Sequence, residues 1–257
     1  MNERLTQHIL ESIGAASGNV PSLRSVRSLS GGCINQAWAF ECDGPDFFVK
    51  TNHERCLASY ESEAIALEQL QATETICVPA PITSGRFEKV AFLVLEHLEL
   101  QGGGDWKQLG DQLAQLHRES SGAREFGWSR DNVIGETPQP NPLSADWALF
   151  FRDSRIGHQL QLCAKKGLRF VGEDNLMASI PRILNHKPAA SLLHGDLWSG
   201  NIAFLANGSP TIFDPATYFG DREVDLAFTE MFGRLSPEFY EAYLDAWPVP
   251  AGYQLRK

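Results

Sequence analysis

The 257-residue sequence has few cysteines, no long apolar run and no extended run of one charge. Its five cysteines are odd in number and form no Cys-x-x-Cys pair, which argues against a disulfide framework or a zinc site. No stretch approaches the roughly 18 apolar residues of a membrane-spanning helix, and the first residues lack the apolar core of a signal peptide. These absences predict a cytoplasmic protein with no membrane partner.

Positive charge is also scarce. The sequence has 22 Lys and Arg against 32 Asp and Glu, a formal net charge of −10, and its longest basic run is Lys165-Lys166. Proteins that bind nucleic acid without sequence specificity cluster Lys and Arg against the phosphates, so we expect no nucleic-acid partner. Hydrophobic residues make up 43% of the chain, which is typical of a globular protein with a sizeable core.

The order of the periodic patterns predicts an α+β fold in two lobes. Residues 1–100 combine strands with a helix over 58–72 and an amphipathic helix over 3–16. The three glycines after Gln101 predict a flexible connector, and residues 101–257 are mainly helical. We therefore expect a bilobal arrangement of a small antiparallel β lobe and a larger helical lobe, with a small-molecule site at their junction.

Individual elements follow from the same patterns. Asp43-Gly44 and Asn207-Gly208 each separate two apolar runs, which is a strong signal for a β-hairpin. The predicted strands are 26–29, 36–41, 46–50, 82–85, 90–95, 202–205 and 211–213. The further predicted helices are 105–119, 145–166, 173–185, 222–233 and 236–246.

The segment from His194 to Asn201, with the sequence His-Gly-Asp-Leu-Trp-Ser-Gly-Asn, is the richest in chemistry. Asp214 lies at the far end of the predicted hairpin, which should bring it beside Asn201. Together they offer the hard oxygen ligands that Mg²⁺ prefers beside substrate phosphates. Asp196 is then a nearby carboxylate that can accept a hydroxyl proton. An Asp base with a metal-binding Asn five residues later is the spacing of a kinase catalytic loop.

The first lobe contains candidates for holding a nucleotide. Lys50 ends a strand, as the phosphate-binding lysine of kinases does, and Glu63 is its preferred partner over Glu61. The backbone of the segment before the connector can bind an adenine edge, although an ordinary edge strand is the alternative. That segment consists of Glu96, His97 and Leu98.

A glycine-containing loop between two predicted strands is the second nucleotide candidate. Its backbone amides can approach phosphate oxygens closely, although the pattern also fits a simple turn. The residues concerned are Gly31, Gly32 and Cys33.

Together these motifs resemble the fructosamine kinase (ketosamine 3-kinase) family, which has an aminoglycoside-phosphotransferase-like, protein-kinase-like fold. The resemblance implies ATP-dependent phosphorylation of the 3-hydroxyl of a ketosamine, with ATP and Mg²⁺ as cofactors. It also implies a role in deglycation repair, with a small ketosamine or a glycated protein lysine as acceptor. The matching positions are 31–35, 48–52, 93–96, 126–128, 131–132, 134–135, 137, 139, 141, 146–147, 150–151, 194–201, 214–216, 220–223 and 225–227.

The resemblance also assigns roles by position. Asp196 becomes the catalytic base, Asn201 and Asp214 the Mg²⁺ ligands, and Lys50 the contact to the nucleotide phosphates. Two further groups of residues receive supporting or substrate roles. His194 and Asp225 would support the catalytic loop, and Trp198, Asp221 and Arg222 would contact substrate. Burial of Trp198 as plain core, and a surface charge cluster of Asp221, Arg222 and Glu223, are the alternatives.

Cys33 has a further implication. The family carries a cysteine at this position, which suggests redox control through an intersubunit disulfide, so we expect a monomer or a redox-linked dimer; a small residue that fits the turn is the alternative. Family members usually continue beyond the position where this sequence stops, and we expect apolar surface on the larger lobe as a consequence.

Three other functions fit parts of the pattern. A kinase for another small hydroxylated amine, such as an aminoglycoside, would use the same motifs, and a non-catalytic nucleotide-binding remnant would bind ATP without turnover. A metal-dependent hydrolase using His194, Asp196, Asp214 and Asp225 would leave Lys50 and the glycine loop unexplained. The preferred sugar and amine, the size of the acceptor and the oligomeric state stay open at this stage.

Overall fold

The structure is a computed structural model that describes residues 1–29 and 35–257. The chain divides into two compact units. The first unit consists of Met1–Gly104 and Ala203–Phe213, and the second of Asp105–Ile202 and Asp214–Lys257. The first unit therefore includes a hairpin that lies far beyond the glycine connector in sequence.

The strands and helices are numbered in chain order. The strands are β1 (Leu23–Leu29), β2 (Gln36–Cys42), β3 (Phe47–His53), β4 (Pro81–Phe87), β5 (Val90–Glu96), β6 (Leu100–Gln101), β7 (Asn132–Ile134), β8 (Thr137–Gln139), β9 (Ser191–Leu193), β10 (Ile202–Leu205), β11 (Pro210–Ile212) and β12 (Tyr218–Gly220). The helices are α1 (Glu3–Ser17), α2 (Leu57–Gln71), α3 (Trp106–Glu119), α4 (Trp147–Phe150), α5 (His158–Lys165), α6 (Glu173–Ile183), α7 (Glu223–Phe228), α8 (Pro237–Ala246) and α9 (Tyr253–Arg256). Within residues 1–29 and 35–257, no helix has both the length and the apolar character needed to cross a membrane.

The first unit is built on an antiparallel sheet with the strand order β1-β2-β3-β5-β4. α1 packs on this sheet through Leu5, Ile9 and Ile13, whose spacing by four places them on one helix face. These side chains meet Phe40 and Phe92 from the sheet in a buried apolar core. A second, smaller sheet has the order β11-β10-β6 and contains the hairpin predicted from Asn207-Gly208.

The second unit is mainly helical, and α3 packs closely against α8 within it. The close approach depends on Gly110, because a Cβ at this position would collide with the backbone carbonyl oxygen of Phe239. Two short antiparallel pairs, β7 with β8 and β9 with β12, complete the unit. The β9–β12 pair leads directly into the segment that carries the candidate catalytic residues.

The main predicted elements are confirmed, and two predictions need correction. The helix predicted over 222–233 ends at Phe228, because the amides of Glu230 and Met231 turn to carbonyls three residues back. The helical stretch predicted over 145–166 is interrupted by a π-helical turn over Phe151–Gly157. The sequence also missed the two-residue strand β6 and the strands β7, β8, β9 and β12, each only three residues long. Alternation over three residues is too short to distinguish a strand from a turn.

Candidate active site

Lys50 and Glu63 form a close ion pair inside the first unit. Lys50 lies on β3 and Glu63 on α2, and Lys50 Nζ donates to Glu63 Oε1 at 2.6 Å. The lysine side chain is only 5% exposed, so its charge requires a nearby counter-charge. Glu61, the other candidate, is exposed. The structure therefore brings together the pair that the sequence favoured, and the contact of Lys50 with a nucleotide stays a prediction.

The segment after β5 is fixed to the sheet by its backbone. The amide of Glu96 donates to Ala80 O at 2.8 Å, and the amide of His97 donates to Asp46 O at 3.3 Å. The Glu96 carboxylate accepts a bond from the Ala80 amide at 3.2 Å. His97 and Leu98 are half-buried. The adenine-binding role of Glu96, His97 and Leu98 stays a prediction.

Gly31, Gly32 and Cys33 lie outside the described residues, so the phosphate-binding loop and the redox role of Cys33 stay predictions. The loop ends at Asn35, which is described. Asn35 Oδ1 accepts from Asn52 Nδ2 at 2.9 Å and from the Tyr60 hydroxyl at 3.0 Å. These bonds attach the end of the loop to β3 and α2. The cysteines among the described residues are free thiols.

The central segment of the second unit runs from β9 to the 3₁₀ turn of Ser199–Asn201. Asn201 Nδ2 donates to the backbone oxygen of Asp196 at 2.8 Å and to its Oδ2 at 3.2 Å. Since both donors of the amide face Asp196, the amide oxygen of Asn201 is the atom left to act as a ligand. The five-residue spacing thus closes a compact loop with the carboxylate and the amide side by side.

Asp196 has the electrostatic properties of a base near neutral pH. Burial raises the pKa of Asp196 to about 6, the hydrogen bond from Asn201 opposes this shift, and the negative charges of Asp214 and Asp225 add to it. At pH 7 the carboxylate is therefore mostly ionised and still basic enough to accept a proton. The charge of Asp214 is therefore among the groups that raise the pKa of Asp196, and the placement of Asp214 beside Asn201 stays a prediction.

Asp214 follows β11 and is exposed. Its backbone φ of 59° lies in the left-handed region, which costs energy for a residue other than glycine. Two residues later, the amide of Ala216 donates to His194 O at 2.9 Å, which ties this segment to the catalytic loop. The candidate donor set is the amide oxygen of Asn201 and the carboxylate of Asp214, with the carboxylate of Asp196 nearby. These hard oxygen donors, with an excess of negative charge, fit Mg²⁺.

The loop over residues 194–201, the candidate catalytic loop, is held by Asp225 on α7. Asp225 is fully buried, and its two oxygens accept from the amides of His194 and Gly195, each at 2.8 Å. Gly195 has φ 82°, and a Cβ there would collide with Ala216 O. His194 is also fully buried, and its Nδ1 lies 3.3 Å from the Asp196 amide. Both residues therefore contact the backbone of this loop, and their supporting role in catalysis stays a prediction.

His117 on α3 is a buried member of this site that the sequence reasoning missed. Its Nε2 lies 3.1 Å from Asp225 Oδ2, and its Nδ1 lies 2.8 Å from the Tyr243 hydroxyl. Burial alone would raise the pKa of Asp225, but the hydrogen bond and charge of His117, the charge of His194 and the Gly195 amide together lower it. The available signal was a histidine directly after Leu116, on the apolar face of an amphipathic helix.

Trp198 is half-buried and lies beside the exposed side chain of Phe232. The two ring centroids are 5.3 Å apart in an edge-to-face arrangement. The indole of Trp198 also covers Gly200, where a Cβ would collide with it. A plain core position for Trp198 does not fit this exposure, and its contact with substrate stays a prediction.

Three charged residues at the start of α7, Asp221, Arg222 and Glu223, are buried. The alternative of a surface charge cluster is therefore wrong for them. Asp221 Oδ2 lies 2.8 Å from His186 Nε2. Arg222 donates to the carbonyls of Trp247 at 2.9 Å and Pro248 at 2.6 Å. Glu223 accepts two bonds from Arg256, at 2.6 and 2.7 Å. These contacts attach the C-terminal residues to α7.

The substrate roles of Asp221 and Arg222 stay predictions beside these contacts. The guanidinium of Arg222 also stacks on the Trp247 ring at 4.0 Å and donates to the Tyr243 hydroxyl at 3.1 Å. These charge-assisted contacts of Arg222 hold residues 243–248 against the start of α7.

Comparison with known proteins places this geometry in a class. A crystal structure of a candidate fructosamine-3-kinase from Haemophilus somnus superimposes with a TM-score of 0.90 at 31% identity, over 96% of this chain and 84% of that one. The fold is that of the protein-kinase-like phosphotransferases.

Sequence comparison then gives the family. The profile described as "Fructosamine kinase" matches residues 5–257. A probable ketoamine kinase of Synechocystis is 42% identical over 98% of this chain and 86% of its own length. A chloroplastic protein-ribulosamine 3-kinase of Arabidopsis thaliana is 37% identical over 93% of this chain and 75% of its own length. The chain belongs to the fructosamine kinase family and is a phosphotransferase.

Proposed function

We propose that this chain is an ATP- and Mg²⁺-dependent ketosamine 3-kinase. The acceptor would be a ketose joined to an amine as a ketoamine, either as a small molecule or on a protein lysine. Phosphorylation of its 3-hydroxyl would make the adduct unstable and release the amine. The observation that carries this proposal is the Asp196–Asn201 pair in a member of the fructosamine kinase family.

The proposed reaction has a simple atomic balance. The 3-hydroxyl oxygen forms a bond to the γ-phosphorus of ATP, and the bond between that phosphorus and the β–γ bridging oxygen breaks. ADP leaves, and the hydroxyl proton goes to a carboxylate oxygen of Asp196. The pKa of about 6 for Asp196 supports this role, because the group is ionised before transfer and basic enough to take the proton.

The other residues would hold and orient the reactants. Asn201 and Asp214 would hold Mg²⁺, which supplies positive charge against the phosphates during transfer. Lys50, oriented by Glu63, would contact the nucleotide phosphates. Catalysis of phosphoryl transfer depends mainly on such positioning and charge.

The direct test is acceptor-dependent ADP release from the purified protein. We expect ADP release with ATP, Mg²⁺ and a ribulosamine or fructosamine of lysine, and a loss of at least about 100-fold in turnover with Asp196→Asn. Asp153→Asn is the matched control, because Asp153 is exposed and pairs with its neighbour Arg152.

Two results would contradict the proposal. One is near-normal turnover by Asp196→Asn. The other is turnover with an aminoglycoside or choline-like alcohol and none with ketosamines, which would assign the same motifs to a different acceptor.

A further inference from the structure

A buried cluster of side-chain amides lies on and beside the β7–β8 hairpin, and the proposed chemistry makes no use of it. The amide cluster consists of Asn132, Gln139 and Asn141. The exposed fractions of the three side chains are small, 8%, 5% and 2%. Buried amides carry two donors and an acceptor each, so their presence in a core requires specific partners.

The partners of the amide cluster lie on the segment that follows Asp214. Asn132 Nδ2 donates to Thr217 O at 2.8 Å. Gln139 Nε2 donates to Ala216 O at 3.2 Å and to Asn132 Oδ1 at 2.8 Å. Two successive backbone carbonyls, two and three residues after the candidate metal ligand, are therefore held by side chains of one hairpin.

Arg155 fixes the orientation of the cluster. Its Nη2 donates to Asn141 Oδ1 at 2.7 Å, and its guanidinium lies over the rings of Phe150 and Tyr218, at 4.6 and 4.1 Å from their centroids. Since a guanidinium only donates, Asn141 must present its oxygen to Arg155 and its nitrogen to the rest of the cluster.

This orientation propagates along the cluster. Asn141 Nδ2 donates to Asn132 Oδ1 at 3.1 Å. The oxygen of Asn132 is thereby turned towards Asn141 and Gln139, and its nitrogen towards Thr217 O. The direction of all three side-chain amides thus follows from the half-buried guanidinium of Arg155, and the alternative flipped arrangement would set like groups against each other.

The segment is held from its other side as well. The amide of Ala216 donates to His194 O, so residues 216 and 217 are fixed between the catalytic loop and the amide cluster. The left-handed backbone of Asp214 is costly, and such a conformation persists only where the surroundings determine it. The structure supplies these surroundings immediately after Asp214.

We propose that Asn132 and Gln139, oriented through Asn141 by Arg155, are positioning residues that aim the Asp214 carboxylate for metal binding. This inference rests on the metal role of Asp214 in the proposed function. It assigns to the β7–β8 hairpin a task in Mg²⁺ affinity rather than in acceptor contact. Residues that orient metal ligands typically change metal affinity by about 10–100-fold when removed.

The test measures metal binding directly. Gln139→Met keeps the length of the side chain and removes both of its donors. Mn²⁺ serves as the probe in the presence of ADP, and the signal of free Mn²⁺ in electron paramagnetic resonance gives the bound fraction. We expect the half-saturating Mn²⁺ concentration of Gln139→Met to rise about tenfold above that of the native protein.

Thr229→Val is the matched control. Thr229 is buried, and its hydroxyl bonds Leu226 O at 2.7 Å and the Tyr240 hydroxyl at 3.0 Å, at the end of α7. Both variants should lower the melting temperature, and only Gln139→Met should weaken Mn²⁺ binding. Equal Mn²⁺ affinity of Gln139→Met and the native protein would overturn the inference and leave the proposed function intact. Absence of Mn²⁺·ADP binding by the native protein would overturn both.

A second measurement needs no variant and remains decisive if Gln139→Met does not fold. Amide hydrogen exchange is followed in the native protein with and without Mg²⁺ and ADP. We expect exchange in peptides covering 132–141 to slow together with exchange in peptides covering 214–218. Protection confined to 214–218 would overturn the coupling between the hairpin and the metal ligand.

Discussion

At the scale of single residues, Asp196 is under opposing demands from stability and chemistry. Its carboxylate is mostly shielded from water and lies within the influence of two other carboxylates, which raises its pKa to about 6. A carboxyl whose pKa is raised in the folded state destabilises the protein when ionised, so this penalty appears as the pH rises from about 4 to 6. The same rise in pKa makes the Asp196 carboxylate basic enough to accept a hydroxyl proton.

The first prediction concerns the pH dependence of the reaction. We expect kcat/KM for the acceptor to fall as the pH decreases through about 6, because protonated Asp196 cannot accept the hydroxyl proton. The measurement is a pH profile of initial rates at constant ionic strength. A profile that stays flat between pH 7 and 5 would contradict the assignment of Asp196 as the base.

The second prediction concerns stability. Asp196→Asn removes a partly buried charge and keeps the shape of the side chain, so we expect the melting temperature at pH 7.5 to rise while activity is lost. The exposed Asp153 has a pKa lowered by its hydrogen bond to Arg152. Asp153→Asn should therefore lower the melting temperature slightly or leave it unchanged. Calorimetry of both variants tests the difference, and a melting temperature of Asp196→Asn at or below that of Asp153→Asn would contradict it.

The third prediction concerns the buried ion pair. Glu63→Gln removes the carboxylate charge that lies 2.6 Å from the buried ammonium of Lys50, and we expect the free energy of unfolding to fall by about 3 kcal/mol. Glu61→Gln, on the exposed side of the same helix, should change it by less than about 0.5 kcal/mol. Urea unfolding measures the free energy of unfolding of both variants. Equal losses would show that the Lys50–Glu63 ion pair contributes no more to stability than an exposed glutamate does.

At the scale of elements, three helices supply residues that are distant in sequence to the loop containing His194 and Gly195. α7 supplies Asp225 to the amides of His194 and Gly195, and α3 supplies His117 to Asp225. α8 supplies Tyr243 to His117. The position of α3 against α8 therefore bears directly on the catalytic loop.

The fourth prediction tests this packing. Gly110→Ala introduces a Cβ that would collide with Phe239 O, so α3 and α8 must separate. We expect a loss of about 1–3 kcal/mol in the free energy of unfolding. Gly122→Ala is the control, because a Cβ at Gly122 meets no atom within 4 Å. A Gly110→Ala protein as stable as the control would show that the helices move apart without cost.

The elements also show what the sequence could and could not predict. Long periodic elements such as α1 and α3 were predicted closely, because an apolar face repeats over several turns. The sequence predicts Asp196 as a carboxylate near Asn201, and the structure shows a hydrogen bond between their side chains at this five-residue spacing. The partners of Asn132 and Gln139 lie 85 and 77 residues away, so no local pattern indicates them. His117 was missed for the same reason, since its partners lie on α7 and α8.

At the scale of the whole molecule, each unit by itself contains residues with a proposed role. Lys50 and Glu63 belong to the first unit, and Asp196, Asn201 and Asp214 belong to the second. The chain as a whole carries a net charge of −10, and ATP is also an anion. The long-range field of the protein therefore opposes the approach of the nucleotide, and local positive charge must compensate for it.

The fifth prediction follows from this field. Between about 0.01 and 0.15 M salt the screening length falls from about 30 to 8 Å. We expect KM for ATP to decrease over this range, because the repulsion is screened. A cationic acceptor such as a glycated lysine amide should show the opposite trend. Initial rates measured at varied ATP and at varied acceptor give the two KM values at each salt concentration. A KM for ATP and a KM for the acceptor that change in the same direction would contradict the prediction.

The position of the transferred phosphate is the most direct test of a ketosamine 3-kinase. The purified protein is incubated with ATP, Mg²⁺ and a fructosamine of lysine, and the product is examined by phosphorus–proton correlation in nuclear magnetic resonance. We predict a correlation from phosphorus to the proton on sugar carbon 3, followed by the appearance of free lysine. A phosphate on another hydroxyl, or a stable product that retains its amine, would contradict the proposed function.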